Sequence, residues 1–166
     1  MIAKHYEEQL FEILTRERLT IATAESCTGG LVSHRITSIA GSSAYFLGGI
    51  VSYSNDVKMS LLGVPQEVLA RVGAVSAECA VAMAQGARAR IGADIGVSTT
   101  GIAGPGGATP TKAVGLVYIA CSTPWGDHWD EHHFTGGRLD VIRASADAAL
   151  ASVLAQLARR KDSTER

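Results

Sequence analysis

Short β-branched runs alternate with helical stretches over the first hundred residues, and no other feature constrains the fold as strongly. Residues 19–23 (LTIAT), 50–53 (IVSY) and 95–99 (IGVST) have the length and residue types of buried strands. Segments of helical periodicity lie around them. Residues 3–15 put Tyr6, Leu10, Ile13 and Leu14 on one stripe, and residues 29–39 do the same with Val32, Ile36 and Ile39. Residues 41–43 (GSS) predict a turn that caps a short helical turn through Phe46. Ser54 or Asn55 then caps a helix ending at Gly63. Pro65 opens another through about residue 72, and Ser76 caps a long one that stops at Gly92.

Strands follow at 114–121 and 128–134, joined by a turn at 123–127 that is too short for a helical crossover, so part of the sheet is antiparallel. A last helix covers 139–160, with Leu139, Ile142, Ala146, Ala149, Leu150, Val153 and Leu157 inward. The expected fold is a three-layer α/β/α sandwich around a mixed, mostly parallel sheet. A chain of 166 residues suits one domain over 1–166.

The formal net charge of -1 removes any electrostatic reason to expect nucleic acid or an anionic membrane as partner. No apolar run has the length of a bilayer span, and the N-terminal segment mixes both charge signs, unlike a signal peptide. Cys27, Cys79 and Cys121 are scattered and odd in number, which predicts reduced thiols in a cytoplasmic protein.

Three loops, each after a predicted strand, carry the candidate chemistry. In open α/β sheets, ligands bind beyond the carboxyl ends of the strands. The first loop, residues 24–30 (AESCTGG), sets Ser26, Cys27 and Thr28 before Gly29 and Gly30 at a helix start, where free N–H groups can hold an anion or an oxyanion. The alternative is a simple N-cap by Ser26 or Thr28. It is not a GxSxG elbow, because Ala24 and Thr28 stand at the glycine positions. Cys27 is a second candidate nucleophile, but successive residues of an extended turn face opposite ways.

The second loop, residues 53–58 (YSNDVK), puts Lys58 one turn into its helix. Its amine can lean back toward the strand end, and a lysine in a dry pocket serves as a general base. The alternative is a solvated surface lysine. Tyr53 ends the strand and can relay a proton, and Asn55 follows it. The third loop, residues 100–112 (TGIAGPGGATPTK), resembles an anion-binding nest rather than a dinucleotide or P-loop motif, the alternative being a mobile surface loop. Residues 128–133 (HWDEHH) would put His128, Asp130 and His132 on one strand face, yet no distal ligand motif completes a metal site. Arg138 and Arg143 are either phosphate partners or ordinary surface charges.

Five motifs in order, TAESCTGG, GSSAYFLGGIVSYSNDVK, GAVS, TGIAGPGG and FTGGR, together resemble the CinA C-terminal-domain family, the nicotinamide-nucleotide amidohydrolases, over nearly the whole chain. The resemblance implies deamidation of nicotinamide mononucleotide to nicotinate mononucleotide and ammonia, in pyridine nucleotide recycling. It implies Ser26 as nucleophile and Lys58 as base, with Tyr53 and Thr28 in the same site. Backbone N–H groups from Cys27 through Gly29 to Gly30 would hold the oxyanion. Asn55, Thr100, Gly101, Ala103, Gly104, Gly106 and Arg138 would bind the nucleotide. No metal or other cofactor is implied. The expected partner is a small nucleotide, with no nucleic acid and no membrane, and a homo-oligomer is the expected state.

Many relatives carry glycine, an acidic residue and proline where Ala108, Thr111 and Ala113 stand, and often an acidic residue at Gly137, so the later half of the third loop is expected to order or bind differently. The molybdopterin-binding-like domain of longer relatives is not in this sequence, and pyrophosphatase activity tied to it is not expected. The competing reading is a nucleotide-binding regulatory module without chemistry. A binding module has no need for both a turn serine and a reachable lysine.

Overall fold

The computed structural model describes residues 5–164, with side chains through Arg160. Five strands run β1 (Ile21–Glu25), β2 (Phe46–Val51), β3 (Ile95–Gly101), β4 (Leu116–Thr123) and β5 (Gly126–His133), in sheet order β2-β1-β3-β4-β5. β1 pairs parallel with β2 and β3, while β4 is antiparallel to both β3 and β5. Four strands therefore point one way and only β4 opposes them. Helices α1 (Tyr6–Glu17), α2 (Leu31–Thr37) and α6 (Arg138–Thr164) cover one face, and α3 (Asn55–Leu62), α4 (Gln66–Val72) and α5 (Ala77–Ile91) the other.

Side-chain alternation divides β1 between two cores. Ile21 joins Leu10, Leu14, Ile36, Val97, Ile119 and Leu150 on the first face. Ala22 and Ala24 meet Leu62, Cys79 and Met83 on the second. The small residues on that second face let α5 lie close. A Cβ at Gly96 would sit 2.1 Å from the Ala84 carbonyl oxygen, and one at Gly86 would sit 2.0 Å from that of Leu62. Backbone cannot yield as a side-chain tip can, so Gly96→Ala is expected to destabilise the fold by about 3 kcal/mol. This would be read as a lower urea midpoint. An unchanged midpoint would contradict the packing of α5 on β3.

Several boundaries differ from the sequence expectation. β1 runs on to Glu25, and α2 starts at Leu31 because Gly29 and Gly30 adopt positive φ (60° and 104°) outside the helical region. β2 begins at Phe46, so the expected helical turn is a 3₁₀ turn that ends at Ala44. Thr100 and Gly101 close β3 rather than opening the third loop, β4 starts at Leu116, and Pro124 and Trp125 alone turn β4 into β5.

The inward stripe of α6 passes through Val141, while Leu139 is 61% exposed. Tyr6 is exposed too, which leaves Leu10 and Leu14 as the buried stripe of α1. Ala3 and Lys4, placed in that helix by the sequence, lie outside the described residues. Contrary to expectation, α6 has the length and apolar composition of a membrane span over Arg138–Arg160. Half of its most apolar 18-residue window is buried inside the domain, as in a core helix.

Candidate active site

Parallel strands β1 and β2 end side by side, so the loops that follow them start together. The Ser52 N–H donates to the Glu25 carbonyl at 2.8 Å, and the Ser26 N–H donates to the Thr99 carbonyl of β3 at 3.0 Å. These two bonds bring the first and second loops to the third. Ser54 caps α3 by accepting from the Val57 N–H, and one turn later Lys58 points back toward the strand ends. Ser26 and Lys58, 32 positions apart, meet there.

Lys58 is 1% exposed and Ser26 9%. The lysine amine lies 2.9 Å from Ser26 Oγ, 2.6 Å from the Ser52 carbonyl oxygen and 3.4 Å from that of Tyr53. No carboxylate hydrogen-bonds to it among the described residues. Burial therefore dominates and lowers its pKa below the ordinary 10.5. The surface-lysine alternative does not hold.

These three oxygens fix the direction of proton transfer. A protonated amine has three N–H bonds, one for each oxygen. The two carbonyls can only accept, so a neutral amine keeps its two N–H bonds on them and turns its lone pair to Ser26. The serine hydroxyl then donates to nitrogen.

Ser26 lines a cavity of about 260 Å³ together with Cys27, Tyr53, Asn55 and Lys58 from the first two loops. Thr100, Gly101, Ala103, Gly104, Gly106 and Arg138 line it as well. Ala74, Val75, Ile102 and Gly107 were not singled out by sequence reasoning and also face it. GAVS, residues 73–76, was the available signal for the first two. Among the described residues, Lys58 and Arg138 are the only charged side chains in this lining.

Three expected site residues are not in it. Thr28 points to the opposite side of the sheet, where its hydroxyl donates to Glu25 at 2.6 Å and lies 2.7 Å from that of Thr99. Gly29 and Gly30 do not line the cavity. The oxyanion donors are also fewer than expected. The Gly29 N–H donates to the Ser26 carbonyl and that of Gly30 to Glu25. Among the described residues, the N–H groups of Cys27 and Thr28 are the two in this turn that make no hydrogen bond.

Tyr53 is at the cavity but not in the dyad. Its ring is 60% exposed, and its hydroxyl accepts from Arg138 at 2.9 Å. Arg138 also donates to the Gly104 carbonyl at 2.7 Å, so α6 and the third loop meet at the rim. Asp140 accepts from the Gly137 N–H at 2.9 Å and caps that helix start in place of an acidic residue at Gly137. In the third loop's later half, residues 105–111 are exposed, and Lys112 anchors the segment by donating to the Val72 carbonyl at 2.6 Å.

Cys27 is the weaker nucleophile. Burial pushes its thiol up to about 11, so the thiolate is scarce near neutrality. No histidine hydrogen-bonds to Ser26 or Cys27 among the described residues. In the HWDEHH strand, His128 pairs with Asp130 at 3.1 Å while His132 stacks on Phe134. Among the described residues no three His, Cys, Asp or Glu side chains gather as a metal site would need.

Sequence reasoning also missed Glu25, a buried carboxylate one residue before Ser26. A single acid at the end of an apolar strand, just before a helix start, was a readable signal for it.

A family model described as the CinA C-terminal domain matches residues 3–157. The chain is 49% identical over 139 residues to a CinA-like protein of Desulfotalea psychrophila, a match covering 84% of this chain and 34% of that protein. A CinA-like protein of Geobacter metallireducens is 55% identical over 125 residues, covering 75% and 30%. The chain thus spans about a third of the length of the curated relatives it matches. Among solved structures, the competence/damage inducible protein CihA from Agrobacterium tumefaciens superposes with TM-score 0.88 at 41% identity, covering 93% of this chain and 97% of that one. A CinA superfamily protein from Escherichia coli gives 0.87 at 32% identity, covering 90% and 87%.

Proposed function

The chain belongs to the CinA C-terminal domain family, and from that premise we propose that residues 1–166 form a single serine amidohydrolase domain that deamidates nicotinamide mononucleotide. The observation that carries the reading is the buried Lys58 amine 2.9 Å from Ser26 Oγ, with its other hydrogen bonds directed to carbonyls. A purely binding pocket has no use for a desolvated lysine aimed at a hydroxyl.

Neutral Lys58 takes the Ser26 proton as Oγ attacks the carboxamide carbon. The N–H groups of Cys27 and Thr28 hold the oxyanion. The C–N bond breaks as Lys58 returns the proton to the leaving nitrogen, which departs as ammonia. Water then loses a proton to Lys58 and attacks the acyl ester. The ester C–O bond breaks, Ser26 recovers its proton, and nicotinate mononucleotide leaves as a carboxylate.

The cavity, at about 260 Å³, lies just under the usual range of roughly 300–1,000 Å³ for small-molecule sites. It takes the pyridine ring and its near neighbours and leaves the phosphate at the rim with Arg138. The reaction belongs to pyridine nucleotide recycling in the cytoplasm and draws on no cofactor.

Ammonia release from nicotinamide mononucleotide, in chelator and across pH, tests this. Turnover is expected to persist in chelator and to rise with pH as Lys58 loses its proton, with an apparent pKa below 10.5. Tight binding without release would instead support the regulatory-module reading.

A further inference from the structure

We propose that Glu25 is a positioning residue, acting as the built-in anion of the α2 N-terminus and thereby holding the oxyanion donors in place; this rests on the reading of Ser26 as nucleophile. Glu25 and Ser26 are neighbours at the end of β1, so their side chains leave opposite faces of the sheet. Ser26 faces the cavity. Glu25 is 1% exposed on the other side and never meets the substrate.

A buried carboxylate needs compensation, normally a cation. None touches Glu25 among the hydrogen bonds of the described residues. Five donors converge on it instead. Oε2 accepts from the Thr28 hydroxyl at 2.6 Å and from the N–H groups of Gly30 and Val32, each at 3.0 Å. Oε1 accepts from the Ser33 N–H at 2.8 Å and its hydroxyl at 2.7 Å. The start of α2 is therefore already filled, by the chain's own carboxylate rather than by a substrate phosphate.

The hydroxyl directions follow. Thr28 gives its one proton to Glu25, so Thr99 must donate to Thr28 across their 2.7 Å contact. Ser33 gives its proton to Glu25, so Thr23 must donate to Ser33. Every hydroxyl in the network is polarised toward one carboxylate. The same network ties both ends of the turn that contains the two oxyanion donors. Thr99 holds the Ser26 N–H through its carbonyl and Thr28 through its hydroxyl, while Glu25 holds Thr28 and Gly30. The Cys27 and Thr28 N–H groups, to which the proposed mechanism assigns the oxyanion, belong to the turn between these anchors.

A glutamine at this position keeps the shape but supplies one oxygen and one NH₂. At least one α2 N–H then faces a donor, and the turn must shift. For Glu25→Gln, kcat is expected to fall about 100-fold while KM changes less than about threefold, since a displaced oxyanion donor acts on the transition state. Thr28→Val, which removes one donor and keeps the volume, is expected to lower kcat about tenfold.

Circular dichroism at the assay temperature establishes the folded fraction. A fluorophosphonate probe, read by mass spectrometry at Ser26, counts reactive sites and gives a second rate constant independent of any amide. Lower kcat per folded molecule with KM held, or a slower labelling rate in a folded variant, supports the proposal. Wild-type kcat and labelling rate in folded Glu25→Gln, or in folded Thr28→Val where the glutamine variant does not fold, overturn it. Wild-type enzyme that hydrolyses no amide yet is labelled loses the substrate reading alone, and the labelling rates then decide on Glu25. Wild-type enzyme that is neither active nor labelled removes Ser26 as nucleophile and this inference with it.

Discussion

Replacing Lys58 with methionine is expected to abolish turnover and raise the thermal midpoint of the fold in one step. Loss of the base should lower kcat by roughly 10³-fold or more. The stability gain comes from the same burial that prepares the base. A charged amine that is 1% exposed and faces no carboxylate carries a desolvation penalty of several kcal/mol. Methionine, unbranched and similar in length, fills the same channel. It leaves the Ser52 carbonyl without its donor, at a cost of about 1–3 kcal/mol. The desolvation term is the larger, so a net gain of about 1 kcal/mol is expected near neutral pH.

The pH dependence has a definite sign. The folded pKa of Lys58 lies below 10.5. Between those two values the unfolded chain binds more protons, so wild-type stability rises with pH across that interval. The methionine variant lacks the rise. Its advantage is full below the folded pKa and fades toward pH 10.5. Thermal melts of both proteins at several pH values measure this, and a lower midpoint for the variant at neutral pH would contradict it.

Ser26→Ala is expected to lower ammonia release by about 10⁴-fold or more while leaving substrate binding close to wild type. The other hydroxyls at the cavity are engaged elsewhere, Thr100 donating to the Ala74 carbonyl and Tyr53 accepting from Arg138. The Cys27 thiol is held protonated by burial, and the Thr28 hydroxyl is committed to Glu25 on the far face of the sheet. Cys27→Ala should therefore stay within about tenfold of wild type, its loss being one of packing. Ammonia assays beside calorimetric binding separate the two outcomes. If Cys27→Ala were inactive and Ser26→Ala active, the assignment of the nucleophile would be reversed.

Some of the fold was not readable locally, for reasons that particular residues make plain. Phe46–Val51 contains Gly48 and Gly49, which argue against a strand by propensity. The structure needs Gly49, because a Cβ there would sit 2.2 Å from Thr23 Oγ1 and 2.6 Å from Ser33 Oγ. Leu139 reads as an inward residue because it fits the helical stripe, but it stands in the first turn of α6, beyond the edge of the core. The family resemblance grouped Thr28 and Tyr53 with Ser26 and Lys58 in the site. Side-chain direction at the strand ends moved one to the other face and the other to the rim.

The sequence by itself determined the order of strands and helices, the caps at Ser54 and Ser76, and the presence of a serine, a lysine and a glycine-rich loop after three successive strands. Those are local matters, set by backbone preference and short-range hydrogen bonding. Tertiary structure alone decided that Lys58 would be dry and pointed at Ser26, and that Arg138 would reach Gly104 from 34 positions away. It also decided that Glu25 would take the α2 N-terminus for itself. Desolvation and convergence depend on what packs around a side chain, and only the assembled sheet and its two helical layers supply that.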